Sequence, residues 1–320
     1  MLMRVSVIVP LYNKASSVKR ALDSIAAQTF EDFEVIVVDD GSTDGSGRCV
    51  TAHPDKRIRA VRQSNAGPGA ARNRGIAEAR GDLLAFLDAD DEWMPEYLER
   101  SVRLLDQYGT GVAAATSGYL EFPKGTSSEA MWRKRGLEEG IQQVTPSTPA
   151  VKLVYMLAYM SPCSTIARAT VVRRWGRFYD KNRCVYAEDA ILWLKVLLNE
   201  TVSFQLRPLA RFHREASALS GNYAGARPIE PFLLEPNEVA AACPVALLSL
   251  LRQFYSIRAC KTASVLGYWG AWQAARPLFR QFVGIGDWRL PYFTSALIGC
   301  TPFAGVLGRL LEATRSEGNG

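Results

Sequence analysis

Leu83-Leu84-Ala85-Phe86-Leu87-Asp88-Ala89-Asp90-Asp91-Glu92 decides how the rest of the chain is read. Its first five residues form an apolar run, the pattern of a strand buried on both faces. Carboxylates then arrive at positions 88, 90 and 91. A buried strand ending in clustered acids places them at the carboxyl edge of an open α/β sheet, where ligands bind. Carboxylates this close repel one another unless a cation neutralises them. Mg²⁺ and Mn²⁺ take oxygen ligands from one or two carboxylates and complete their shell with water and phosphate oxygens. The stretch therefore reads as a divalent-metal site holding a phosphate-bearing substrate. The plain alternative is a solvated acidic turn with Asp91 as the N-cap of a following helix.

Working outward, Val5–Val9 is a β-branched strand stopped by Pro10. Val18, Ala21, Leu22 and Ile25 recur at helical spacing. A second strand, 33–38, ends in Asp39-Asp40 and a turn cluster, 41–45. A third strand covers 58–61. Residues 65–75, rich in Gly and Ala, open a helix; small residues allow close approach, and a helix N-terminus attracts phosphate. Pro95 starts a helix with Leu98, Val102 and Leu105 buried, and 111–117 is a further strand. This β-α alternation predicts right-handed crossovers and an α/β fold with a mainly parallel central sheet flanked by helices. Two strands on that sheet end in acids, Asp39-Asp40 and Asp88/Asp90/Asp91, and both can face one crevice.

The pattern breaks at 121–143, which reads as an excursion, either a surface insertion or a lid. A short helix (151–160), a strand (164–167) and a turn (175–180) follow. Glu188 and Asp189 then precede an apolar helix. Acids are favoured there by the helix dipole alone; the functional reading is a general base at a helix N-terminus. After strand-like 202–204 comes a basic loop with Arg207, Arg211, His213 and Arg214, suited to a diphosphate.

The chain has 320 residues, 48% hydrophobic and 22% charged, which places it among globular proteins. Its six cysteines form no CxxC pair, which argues against a zinc site or disulfide framework and fits a reducing cytoplasm. The N-terminus has no signal-like apolar run. Of the net charge of +6, residues from 240 onward carry +5, eight Lys or Arg against three Asp or Glu. Nucleic acid is one reading of such a basic region; interleaved Trp, Leu and Phe suit a membrane surface at least as well, and no nucleic-acid partner is expected. Residues 227–231 and 235–237 read as a linker to a mostly helical C-terminal region. Its last apolar stretch, 290–308, has no charge and reaches transmembrane length. Pro291, Gly299, Pro302 and Gly305 interrupt it, so a span, an in-plane helix pair with Arg at the rim, and a soluble helical subdomain all remain open.

Four motifs, VSVIVPLYNKASSVKRALDSIAAQTFEDFEVIVVDDGSTDGS, NAGPGAARNRGI, LLAFLDADDEW and AED, together resemble the family 2 inverting glycosyltransferases of the GT-A fold, over about residues 4–215. The resemblance implies a catalytic domain at 1–225 and a helical region at 226–320. It implies that Pro10, Tyr12, Asn13, Asp39, Asp40, Arg72, Asn73 and Asp88 line the nucleotide pocket, with Asp40 at the uracil and ribose. Asp88 and Asp90 match the DxD motif that holds Mg²⁺ or Mn²⁺, Asp90 as the more direct ligand. Asp189 matches the catalytic base, and His213 and Arg214 a basic loop that closes over the diphosphate. The implied activity is transfer of one sugar from a UDP- or dTDP-sugar to a saccharide or lipid-linked acceptor hydroxyl, with inversion, in cell-surface polysaccharide or glycolipid synthesis at the cytoplasmic face of the membrane. The Gln-x-x-Arg-Trp motif of processive members is absent, which favours single-sugar addition. The rival readings are a non-catalytic nucleotide-sugar-binding scaffold of the same fold and a haloacid-dehalogenase-type phosphatase. The latter expects its DxD on the first strand and Thr or Val where Glu92 stands.

Overall fold

The computed structural model describes residues 4–216, 227–283 and 290–306. The chain divides into two compact units, Met1–Val144 with Tyr155–Gly221, and Thr145–Val154 with Asn222–Gly320. The boundary expected at 225/226 lies outside the described residues.

In chain order the first unit runs β1 (Val5–Leu11), α1 (Val18–Ala26), β2 (Phe33–Asp39), α2 (Ser46–Thr51), β3 (Ile58–Arg62), α3 (Pro68–Glu78), β4 (Leu83–Phe86), β5 (Glu92–Trp93), α4 (Tyr97–Gln107) and β6 (Ala114–Phe122). It continues with β7 (Thr126–Ser127), α5 (Glu129–Lys134), β8 (Gly140–Gln142), the end of α6 (Ala150–Tyr159), β9 (Thr165–Arg168), α7 (Ala169–Trp175), α8 (Ala190–Asn199) and β10 (Val202–His213). The sheet order is β3-β2-β1-β4-β9-β6-β10-β5, with β7 on β6 and β8 on β10. Strands β3, β2, β1 and β4 pair in parallel, and β6 pairs in parallel with β10. Antiparallel β9 joins the two groups, so β6 and β10 point the same way as β1. The expected mainly parallel α/β sheet is present.

Both faces of its centre are apolar because every second residue of three strands faces each way. Val5, Val7, Val9, Phe33, Val35, Val37, Leu83, Ala85 and Leu87 pack with Leu22, Ile25, Tyr97 and Leu98. On the opposite face Phe86 meets Phe178 and Trp193 edge-on. Each such burial contributes about 1.5–3 kcal/mol.

Several sequence expectations need correction. Pro10 does not end β1. Pairing with β4 stops at Ile8↔Phe86, so the donor Pro10 lacks is not required. The turn cluster leads into α2, and the 121–143 excursion is ordered as the end of β6, β7, α5 and β8. The basic loop is strand β10: its register shifts around Pro208 break the alternation a strand would show in sequence.

The second unit holds α9 (Pro231–Leu234), α10 (Pro236–Ala240), α11 (Leu248–Tyr268), α12 (Trp272–Phe282) and α13 (Leu290–Gly299). Of the residues expected to be a linker, Pro231 begins α9 and Pro236 and Asn237 begin α10, while 227–230 are not helical. Phe232, Phe254, Tyr255 and Phe282 pack as a ring cluster. Buried Glu230 is paired with Arg258 and accepts from Thr262 Oγ1 at 2.8 Å. Among the described residues no helix is long and apolar enough to cross a membrane. Within 290–308, α13 stops at Gly299, and positions 307–308 lie outside the described residues.

Candidate active site

Helix α3 is the part on which the site is assembled. Its sequence is small because two neighbours press on it. A Cβ on Gly69 would stand 2.2 Å from the Tyr179 carbonyl oxygen, and one on Gly75 2.3 Å from Ile8 Cγ2. At Gly69 and Gly75 the missing side chain makes room for protein neighbours. The backbone entering α3 is also occupied: Asp40 accepts from the amides of Ala66 at 2.9 Å and Gly67 at 2.8 Å, and from Gln63 Nε2 at 2.8 Å. The carboxylate of Asp40 stands where the sequence suggested a phosphate. Asp39 looks elsewhere. It accepts from the Ser42 amide at 2.8 Å and lines a cavity of about 510 Å³ with Arg48 and Arg62.

One turn into α3, Arg72 is buried and joins two distant motifs. Its Nη2 lies 2.6 Å from Asp88 Oδ1 and its Nη1 2.5 Å from Glu188 Oε1. Burial opposes its charge, but Asp88 and Glu188 outweigh that and raise its pKa. Its Nε has no partner among the described residues. Asn73 holds the neighbouring segment. Its side chain donates to the Phe178 carbonyl at 2.9 Å and to Asp180 at 3.0 Å, and accepts from the Phe178 amide at 2.9 Å. Asn73 and the Nη1 of Arg72 thus join residues 178–188 to α3, while the Nη2 of Arg72 holds Asp88.

The acidic turn sits between β4 and β5, and β5 pairs with β10. The Asp91 amide closes the turn onto the Asp88 carbonyl at 3.0 Å. Asp91 is not a helix cap: its carboxylate accepts the His213 amide at 2.9 Å. Burial, then Asp88, pushes its pKa well up. Asp90 has a different partner. Lys14 Nζ lies 2.6 Å from its Oδ2 and 2.7 Å from the Ala216 carbonyl. Burial and the Asp88 charge still raise Asp90. The carboxylate oxygens of Asp88 and Asp91 and the Cys163 sulfur lie within 4.8 Å of one another. Burial pushes the Cys163 thiol well up, so it is a poor ligand for a hard cation. The hard oxygen donors that this structure groups are those of Asp88 and Asp91, a chemistry that suits Mg²⁺ or Mn²⁺; Asp90, expected as the more direct ligand, is paired with Lys14 instead.

Glu188 and Asp189 follow a strained approach, with Ala187 at φ 53. Asp189 stands at the N-terminus of α8 but makes no side-chain capping hydrogen bond, so capping does not account for it. Its pKa is raised to about 7, first by burial and then by Glu188, with Arg72 opposing and Asp88 adding to the rise. Asp88, Arg72, Glu188 and Asp189 therefore act on one another in one place.

The remaining expected residues are arranged as follows. Tyr12 is exposed, and Pro10 lies in β1. Asn13, at φ 51, accepts the Thr43 amide at 2.9 Å, bracing one loop against another. His213 is buried, not part of an open loop: its ring nitrogens lie 2.6 Å from Glu92 and 2.8 Å from Glu215. Arg214 pairs with Glu121 at 2.5 Å. Sequence reasoning did not assign Lys14 to the site or give Glu188 a partner. Lys14 directly follows the Tyr12-Asn13 motif, and that adjacency was the signal available.

Residues 6–155 match the sequence profile described as Glycosyl transferase family 2. The chain carries a family 2 glycosyltransferase domain. The matched span includes Asp40, Arg72, Asp88 and Asp90 and ends before Asp189 and His213. The glycosyltransferase GlyA of Streptococcus pneumoniae is 38% identical over 229 residues, covering 68% of this chain and 31% of GlyA. The succinoglycan biosynthesis protein ExoO of Rhizobium meliloti is 43% identical over 110 residues, 34% of this chain and 32% of ExoO. The chain spans about a third or less of the length of the curated relatives it matches. S. aureus TarS 1–349, solved in complex with UDP-GlcNAc, superposes with a TM-score of 0.69 at 22% identity, covering 92% of this chain and 82% of that one. At that identity the likeness speaks for the family 2 fold alone.

Proposed function

We propose that this family 2 domain transfers a single sugar from a nucleoside-diphosphate sugar, a UDP- or dTDP-sugar, to an acceptor hydroxyl with inversion. The observation that carries the reading is Asp189: a carboxylate at a helix N-terminus that caps nothing, raised to about 7, next to a turn of metal-competent acids. A base of that pKa is matched to taking a proton near neutral pH. In this reading Asp189 accepts the acceptor hydroxyl's proton as it attacks the anomeric carbon. Glu188, held by Arg72, keeps Asp189's backbone in place. Asp88 and Asp90 hold the Mg²⁺ or Mn²⁺, and Tyr12, Asn13 and Asp40 receive the nucleoside. A divalent ion there supplies Lewis-acid neutralisation of the departing diphosphate. His213 and Arg214 reach the diphosphate only after exchanging their carboxylate partners. One base and no covalent nucleophile suit a single displacement. The names of ExoO and GlyA support saccharide chemistry, so the acceptor proposed is a saccharide or lipid-linked saccharide of a surface polysaccharide or glycolipid.

The test is a donor screen that reads nucleotide release with Mn²⁺ or Mg²⁺ and candidate acceptors. Stimulation by an acceptor, with an inverted anomeric product by NMR, supports the proposal. Asp189→Asn should lower transfer by about 10²-fold or more; turnover near wild type would defeat the base assignment.

A further inference from the structure

The second unit carries a surface that the catalytic reading does not use. Val265 lies in α11 and Trp269 just past its end, and Leu297, Ile298, Phe303 and Val306 stand in and after α13; all six are exposed, Phe303 by 72%. In sequence they flank the residues of one helix crossing. A Cβ on Gly267 would stand 2.1 Å from the Gly299 carbonyl oxygen, and one on Gly305 3.1 Å from Gly270 Cα. These contacts bring the backbones together and leave the flanking large side chains outside. Exposed apolar groups gathered in this way mark an interaction site, unlike scattered single residues.

The rim of the patch is basic. Arg276 Nε donates to the Cys300 carbonyl at 2.7 Å, and both Arg276 and Arg280 act on the Cys300 thiol. No Asp or Glu occurs between Glu238 and Asp287, or between Asp287 and Glu312. A second copy packed face to face would bring arginine against arginine, with no carboxylate among the described residues from 239 to 306 to meet it. An anionic, apolar-cored surface satisfies both features: acyl chains take Trp269, Leu297, Ile298 and Phe303, and lipid phosphates take the arginines.

We infer that the α11–α13 face of the second unit lies in the headgroup layer of an anionic bilayer, as an in-plane attachment and not a span. The inference does not rest on the catalytic reading, since attachment needs neither donor nor Asp189.

The test is co-sedimentation of the full chain, without donor, with vesicles of phosphatidylcholine alone and of phosphatidylcholine with about one third phosphatidylglycerol. The inference expects binding to the anionic vesicles that weakens as salt shortens the Debye length from about 10 Å at 0.1 M to about 3 Å at 1 M. Trp269→Ser with Phe303→Ser should lower partitioning at least about tenfold. Arg280→Gln, an exposed site, should weaken binding chiefly at low salt. Unchanged thermal melting of each variant separates lost attachment from lost fold. Absence of binding to the anionic vesicles overturns the inference. So does a dimer in solution that the Trp269/Phe303 variant converts to monomer.

Discussion

Arg72 Nη1 lies 2.5 Å from Glu188 Oε1, a contact spanning 116 positions of sequence, while its Nη2 holds Asp88 at 2.6 Å. The guanidinium joins the acidic turn after β4 to the segment that presents Asp189. Removing one partner of a buried pair leaves uncompensated charge and costs about 3–5 kcal/mol. Arg72→Met should therefore lower stability by that amount in urea unfolding. Arg72→Lys should recover only part of it, because an ammonium cannot serve both carboxylates with a fixed fork. Equal unfolding midpoints for wild type and Met variant would contradict the tie.

Asp189 predicts two opposite effects of one substitution. Its folded pKa, about 7, lies above the ordinary 3.8, so the fold favours the protonated carboxyl. Stability is therefore lost as pH rises from about 4 through about 7. Asp189→Asn removes that loss: the variant should melt above wild type at pH 8 and level with it near pH 4. Transfer by wild type should rise through about pH 7 as the base ionises. Scanning calorimetry and a pH–rate profile check the two limbs separately.

Lys14 sits on Asp90 at 2.6 Å. Lys14→Met should leave the carboxylates at 88, 90 and 91 less neutralised, so without divalent ions the variant should melt lower than wild type. Mn²⁺ should then raise its melting temperature by more than it raises wild type's, because a ligand that binds the fold more tightly stabilises it more. Thermal melts with and without Mn²⁺ read both shifts. Identical shifts in the two proteins would mean that Lys14 and the ion do not share Asp90.

Gly69 predicts a purely steric effect. With Tyr179 O only 2.2 Å from the place of a Cβ, Gly69→Ala forces α3 and the 178–180 segment apart. Overpacking of this kind costs about 1–3 kcal/mol. Chemical denaturation measures it, and Gly111→Ala, where a Cβ meets nothing within 4 Å and the backbone is not left-handed, is the control for an added methyl.

Much of this was legible before any coordinates. Val5, Val7 and Val9 with Phe33, Val35 and Val37 announce a two-faced parallel core by β-branched runs, and the acids at 39–40 and 88–91 announce its carboxyl edge. What stayed hidden depended on partners distant in sequence. The exchange of Asp40 for a phosphate at α3 follows from where residues 63–67 come to rest. The pairing of His213 with Glu92 follows from β5 lying against β10, and a two-residue strand has no periodicity to detect. β10 itself was masked by the break at Pro208. Lys14 was visible, but which carboxylate it meets is set by the sheet.

The hold of Asp40 on the Ala66 and Gly67 amides has a bearing on how specificity is set. On the proposed donor pose, a pyrimidine seeking that carboxylate competes with two main-chain donors already seated there. Nucleobase preference is then the balance of an exchange, and changes confined to residues 63–67 are able to retune it while Asp40 stays as it is.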